Sequence, residues 1–124
     1  MFEDISSALL LTGRLLLGGA FVFAGLRNIL NRDLLKKIIA GRGVPQAGLL
    51  LSAGIALQIF AGICLVAGPW SRIAAAALIV FLVMATFIFH NFWDHEGAER
   101  ASRINGVIGN IAIAGGFLLV MAGQ

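Results

Sequence analysis

The chain has 124 residues, 60% of them hydrophobic and 12% charged, with a mean hydropathy of +0.97. Soluble domains run near about 45–50% apolar and about 25% charged, so this composition excludes a water-soluble globule and points to one domain, residues 1–124, built within a bilayer. A net charge of +3 and a pI near 10 do not signal nucleic-acid binding, because the basic residues are spread between apolar runs and form no single patch.

The start, MFEDISS, is acidic and lacks the basic region of a cleaved leader, so the first apolar run is expected to stay as a span. A spanning helix needs about 20 mostly apolar residues. The runs that qualify are Ser7 to Leu26, Ala47 to Ala67, Ile73 to Trp93 and Ile104 to Ala122. Between the first two, Leu30, Leu34, Leu35, Ile38 and Ile39 recur at helical spacing opposite Asn31, Arg32, Asp33, Lys36 and Lys37. That pattern predicts a short helix lying in the interface over Asn31 to Ala40, stopped by Gly41, Gly43 and Pro45. Gly68-Pro69-Trp70-Ser71-Arg72 predicts a tight turn that makes spans two and three an antiparallel hairpin, with the Trp70 indole in the headgroup layer. The fold class is therefore all-α, an integral membrane four-helix bundle with a short interfacial helix between spans one and two.

Loop one carries Arg27, Arg32, Lys36, Lys37 and Arg42 and loop three Arg100 and Arg103, against Arg72 alone on the opposite side. The positive-inside rule then places both loops in the cytoplasm and both termini outside. Helix contacts are expected where small residues let backbones approach, at Ala20 and Ala24, at Gly48, Ser52 and Ala56, and at Gly106 and Ala114. The single cysteine, Cys64, excludes an intrachain disulfide and is expected to be a buried or lipid-facing thiol without redox duty.

Polar residues inside spans are costly and mark candidate sites. Arg14 shares a face with Gly18, Phe21 and Gly25, so its stem is expected to run in a groove made by the small residues. Gln58 in mid-span two and Asn110 in span four are its expected partners in one buried cluster. At the end of span three, Thr86, His90, Trp93 and Asp94 fall on one helical face, and Asp94 one turn past His90 would orient the imidazole as a base. The same stretch also reads as an interfacial cap, with Phe92 and Trp93 in the aromatic belt and His95, Glu96, Glu99, Arg100 and Arg103 as solvated charges. A metal site from His90, Asp94, His95 and Glu99 is disfavoured, since the usual helical ligand pairs are missing, and bis-histidine haem lacks a second span histidine. The candidate ligand-binding residues are thus Arg14, Gln58, His90, Trp93 and Asn110, with no metal ligands and no covalently bound cofactor.

LTGRLLLGGAFVFAGLRNI, HNFWDHEGAER and NGVIGNIAIAGGFLLVMAG together resemble the DoxX family of small bacterial membrane proteins. The motifs map to Arg14, Gly18, Gly25 and Arg27, then His90, Phe92 and Trp93, then Asn110, Gly115 and Gly116; where the family more often has Lys near the end of span one, this chain has Arg27 and Asn28. The resemblance implies a four-helix bundle in the bacterial inner membrane and an association with redox or quinone-linked respiratory systems. One function consistent with it is an accessory subunit that binds a quinone-like or lipid head group among Arg14, Gln58 and Asn110, with His90 exchanging protons and a redox partner subunit or a second copy beside it. A small transporter is the alternative; its cation-exporting form needs an intramembrane carboxylate, and Glu3, Asp4, Asp33, Asp94, Glu96 and Glu99 all fall outside the spans or at their ends, which leaves an anion path through Arg14. A non-catalytic scaffold is the third reading. Catalysis by this chain alone is disfavoured, because no electron carrier is visible.

Overall fold

A computed structural model describes residues 2–123, with side chains over 4–123; Met1 and the Glu3 side chain, which entered the reading of the chain start and of the acids, lie outside the described set. The helices are α1 (Phe2–Leu30), α2 (Arg32–Gly41), α3 (Ala47–Ala67), α4 (Ser71–Phe89) and α5 (Gly97–Gly123), with a single 3-10 turn at Phe92–Asp94. Among the described residues, α1, α3, α5 and α4 with its 3-10 turn are long and apolar enough to cross a membrane. At about 1.5 Å per residue, the 21 residues of α3 match a hydrocarbon core of about 30 Å.

The helix ends follow local chemistry. α2 stops at Gly41, and Gly43 then takes φ +80. The α3–α4 turn has Gly68 at φ +105 and Trp70 at φ +62, so the glycine bears a left-handed geometry that other residues rarely adopt. α4 ends at Phe89 and not at Trp93, because the chain leaves helical geometry at His90 and re-forms only the 3-10 turn. α5 begins at Gly97, ahead of the apolar run at Ile104. Its first turns lie past the hydrocarbon, where Glu99 and Arg103 pair at 3.6 Å across one helical turn. α1 likewise outruns its apolar run at both ends.

The spanning helices form a ring in the order α1, α3, α4, α5 and back to α1, with α2 laid on α3. Bilayer hydrocarbon gives apolar faces no reason to leave lipid, so close backbone approach must supply the packing. It does so where α1 crosses α3: a Cβ on Gly18 would stand 2.5 Å from the Gly62 carbonyl oxygen, and one on Gly62 would stand 2.8 Å from the Gly18 carbonyl oxygen. Gly25 meets Ile59 on the same face. The expected small-residue faces are used differently. Ala20 is exposed, Gly48 receives Lys36 from α2, and Gly106 receives the His90 ring. Phe21, Leu65, Leu78, Leu82 and Phe117 fill the ring's centre, with Phe21 edge-on to Phe81 at 6.2 Å and tilted against Phe117 at 5.4 Å. Leu16, Phe23, Phe60, Ile111 and Leu119 point outward, as lipid-facing residues do. A second cluster, Ile39 with Ala47, Leu51 and Ile55, fastens α2 to α3.

Candidate functional site

α3 and α4 are tied by the tight turn at one end and held apart at the other, where α2 roofs the gap. The space between them is a cavity of about 470 Å³. Leu35 and Ile39 of α2, Leu51 and Ile55 of α3, Leu82 and Phe89 of α4 and Ile113 of α5 give it apolar walls, and Phe21 closes its inner end. Ala53, Val80 and Met84 line it and are also exposed on the outer surface, so it opens sideways toward lipid. The polar side chains in its wall are Asn28, Gln58, His90 and Asn110.

Each of those groups is held by a neighbour. Asn28 at the end of α1 donates from Nδ2 to Gln58 Oε1 at 2.8 Å, and Gln58 is 4% exposed. This bond uses the Gln58 carbonyl and leaves its NH2 as a donor. Asn110 Nδ2 donates to Thr86 Oγ1 at 2.9 Å, and Thr86 in turn donates to the Leu82 carbonyl at 2.6 Å. That chain leaves the Asn110 carbonyl and its second N–H. His90 caps α4, its N–H bonding the Thr86 carbonyl at 2.9 Å, and its ring rests on Gly106, where any Cβ would overlap it. α3 and α5 stand diagonally in the ring, so the Gln58 and Asn110 amides come from opposite corners of the bundle.

Of the sequence-derived candidates, Gln58, His90 and Asn110 therefore share one cavity, whereas Arg14 and Trp93 lie elsewhere. The Arg14–Gln58–Asn110 cluster does not form. Gly18 and Gly25 are occupied by α3, so no groove is left for the Arg14 stem. Its guanidinium lies against Gly68 at the far end of α3, with Nη1 3.3 Å from where a Cβ would stand. The helix break at His90 takes Trp93 and Asp94 off the Thr86 face. Trp93 is 49% exposed and packs on Phe87 and Phe92, with centroids 6.1 and 5.4 Å apart. Asp94 does not orient His90; its Oδ2 accepts from Arg42 Nη1 at 3.0 Å and Asn91 Nδ2 at 3.1 Å.

The segment after α4 is a knot in which only part of the charge is solvated. Arg103 Nη1 donates to the Phe89 carbonyl and to Asn91 Oδ1, a cation on the open carbonyl end of α4. Asn91 is 4% exposed, and its own carbonyl meets His95 Nδ1 at 3.0 Å. Glu96, Glu99 and Arg100 are exposed as expected, Arg100 standing 5.8 Å above the Phe92 ring. Arg42 also reaches the Phe87 carbonyl at 3.3 Å, so loops one and three meet at the same end of the bundle. Cys64 is a free, half-buried thiol packed against the core.

Asn28 and Thr86 are the site residues that sequence reading missed as partners. Asn28 sits two residues past the helix's apolar run, and only the departure from the family's usual Lys at that place pointed to it.

Fold and site together define a multi-pass membrane protein with a laterally open, amide-lined cavity. The DoxX family model matches residues 9–91, two thirds of the chain, and the chain belongs to the DoxX family. That match takes in α1 from Leu9 onward, α2 to α4 and His90, and ends before α5. The chain is also 27% identical over 119 residues to the inner membrane protein YphA of Escherichia coli (strain K12), an alignment covering 96% of this chain and 85% of that protein. No solved structure matches the chain.

Proposed function

We propose that this protein is an accessory subunit of the bacterial inner membrane that holds a quinone-like head group between α3 and α4. The observation that carries this reading is the cavity itself. A ring bearing carbonyls needs apolar walls and a few donors, and the Gln58 NH2 and the free Asn110 N–H are donors set at opposite corners of one apolar space. The sideways mouth at Val80 and Met84 lets an isoprenoid tail remain in lipid. His90 sits where the cavity meets the basic end and would exchange protons with that side. Electrons must come from a partner subunit that carries them. A cation exporter is the weaker reading, because Asp4, Asp33, Asp94, Glu96 and Glu99 are all exposed at helix ends or in loops.

Extraction into a lipid-preserving polymer, followed by mass spectrometry of the organic extract, tests the proposal. Near-stoichiometric quinone is expected with the wild type, and Gln58→Leu should lower it roughly tenfold, the equivalent of one hydrogen bond of about 1.4 kcal/mol. Phospholipid alone, at equal levels in both proteins, would replace the quinone with a lipid head group. The basic end is assigned to the cytoplasm. In a Cys64→Ala background, Trp70→Cys should react with an impermeant maleimide on intact cells and Lys37→Cys should not; the reverse pattern inverts the topology.

A further inference from the structure

Arg103 and Arg14 each stand beside the carbonyl end of a membrane helix, α4 and α3. Arg103 finds the Phe89 carbonyl, Asn91 and Glu99, whereas Arg14, beside the last turn of α3, finds no acceptor among the described residues. Its Nε, like that of Arg103, is sealed from solvent without a partner, but unlike those of Arg103 its terminal nitrogens also meet no acceptor among the described residues and reach the surface. The guanidinium is not a loose tip. It is seated on Gly68, whose φ of +105 and missing side chain make the place it occupies, with Nη1 and Nη2 3.3 and 3.5 Å from the vacant Cβ position.

The surroundings mark the edge of the bilayer. Trp70 in the adjoining turn is 72% exposed, as an interfacial indole is. Measured along α1, α3 ends level with Arg14, while α5 ends level with Leu10, where Gly123 meets the Leu10 side chain. One helical turn, about 6 Å, therefore separates the two ends, and it forms a step with Arg14 at its foot. The flanking residues Leu9 and Leu11 are 67% and 45% exposed and apolar, so α1 continues in lipid beyond the arginine. A charge that cannot be deprotonated, at that depth and without an acceptor among the described residues, calls for an anion from outside the chain.

The geometry points to a phosphate-binding site at Arg14, in the step above the α3–α4 turn, whose ligand is the phosphate of a phospholipid head group in the leaflet on the side of the chain termini or a free phosphate ion. The planar fork of Arg suits two phosphate oxygens at once, and Gly68 keeps the approach open. This site is separate from the cavity and does not depend on the quinone reading.

Native mass spectrometry after graded delipidation, with phosphatidylglycerol and a phosphate-free diacylglycolipid added back in turn, tests it. The wild type should retain phosphatidylglycerol at least tenfold better than the glycolipid. Arg14→Gln should abolish that preference, Arg14→Lys should keep only part of it, and Gln58→Leu should leave it unchanged. If inorganic phosphate raises the Tm of lipid-free wild type but not of Arg14→Gln, the ligand includes the free ion; if only the lipid does so, the head group is the source. Equal phosphatidylglycerol retention by wild type and Arg14→Gln, or a Tm loss in Arg14→Gln that is the same with and without phospholipid and phosphate, overturns the site and leaves Arg14 a dipole cap for α3. Should Arg14→Gln fail to fold, Arg14→Lys decides, since retention equal to wild type removes the need for the planar fork.

Discussion

The two ends of the bundle solve the same problem in opposite ways. At the α3–α4 turn, helices close on one another through bare backbone, Gly18 against Gly62, and Arg14 is left without an acceptor among the described residues. At the basic end, helices stand apart, and side chains span the gaps: Arg103 to Phe89 and Asn91, Arg42 to Asp94 and Phe87, Asn28 to Gln58, Asn110 to Thr86. The tight crossing leaves an open apolar groove on the outer face of α1 and α3, lined by Val22, Phe23, Ile63 and Val66, whereas the splayed end forms the amide-lined cavity. The difference teaches that the polar residues of this chain follow the gaps: where backbones do not touch, amides and guanidiniums bond to neighbouring groups, although Arg103 Nε stays buried without a partner, and spare amide donors face a cavity.

The largest expected effect is at the tight end. Gly18→Leu forces α1 off α3, because the first side-chain atom already meets the Gly62 carbonyl oxygen at 2.5 Å and Leu65 Cβ at 2.9 Å. The cost should lie at or above the top of the usual range for overpacking, about 1–3 kcal/mol, and appear as loss of folded protein in detergent thermal melts. A melt like the wild type would show that backbone contact does not hold this end.

At the basic end, Arg103→Leu removes the charged donor from the Phe89 carbonyl and strands the side-chain carbonyl of Asn91. A loss of about 1.5–3 kcal/mol is expected, read by the same melts, with Arg103→Lys recovering part of it. If both variants match the wild type, the knot after α4 is no more than a loop.

Gly106→Ala sharpens the comparison by filling the seat of the His90 ring. The ring must turn away at about 0.5–1.5 kcal/mol, so stability falls little while the quinone retained in the polymer extract drops several-fold. Unchanged retention would remove His90 from the cavity's function.

Arg42→Gln should do least. The Arg42–Asp94 pair is 31% and 48% exposed at its side chains, and solvent screens such pairs, so the melt should stay close to the wild type. A double-mutant cycle with Asp94→Asn in low and high salt measures it, and a clear coupling that survives salt would mean that the two loops are locked by the ion pair and not by α2 packing.

The sequence by itself determined the number of spans, the interfacial α2, the turn at Gly68 and the collection of basic residues at one end. These are properties of one segment at a time: hydrocarbon thickness sets the run length, periodicity sets the face, and glycine and proline set the stops. It also singled out Gln58, His90 and Asn110, because an amide or imidazole in an apolar run is visible without knowing its neighbours. What only the tertiary structure decided is which faces meet. The same small-residue pattern fits several contacts, and choosing Gly62 for Gly18 sets the register of α1 on α3. That register carries Arg14 to Gly68, some 10 residues along α3 from Gln58, or about 15 Å by the helical rise, and brings Asn28 to Gln58 in its place. Likewise the break at His90, held by an arginine thirteen residues later, is a tertiary event, since Arg103 reaches the end of α4 only after α5 has folded back alongside it.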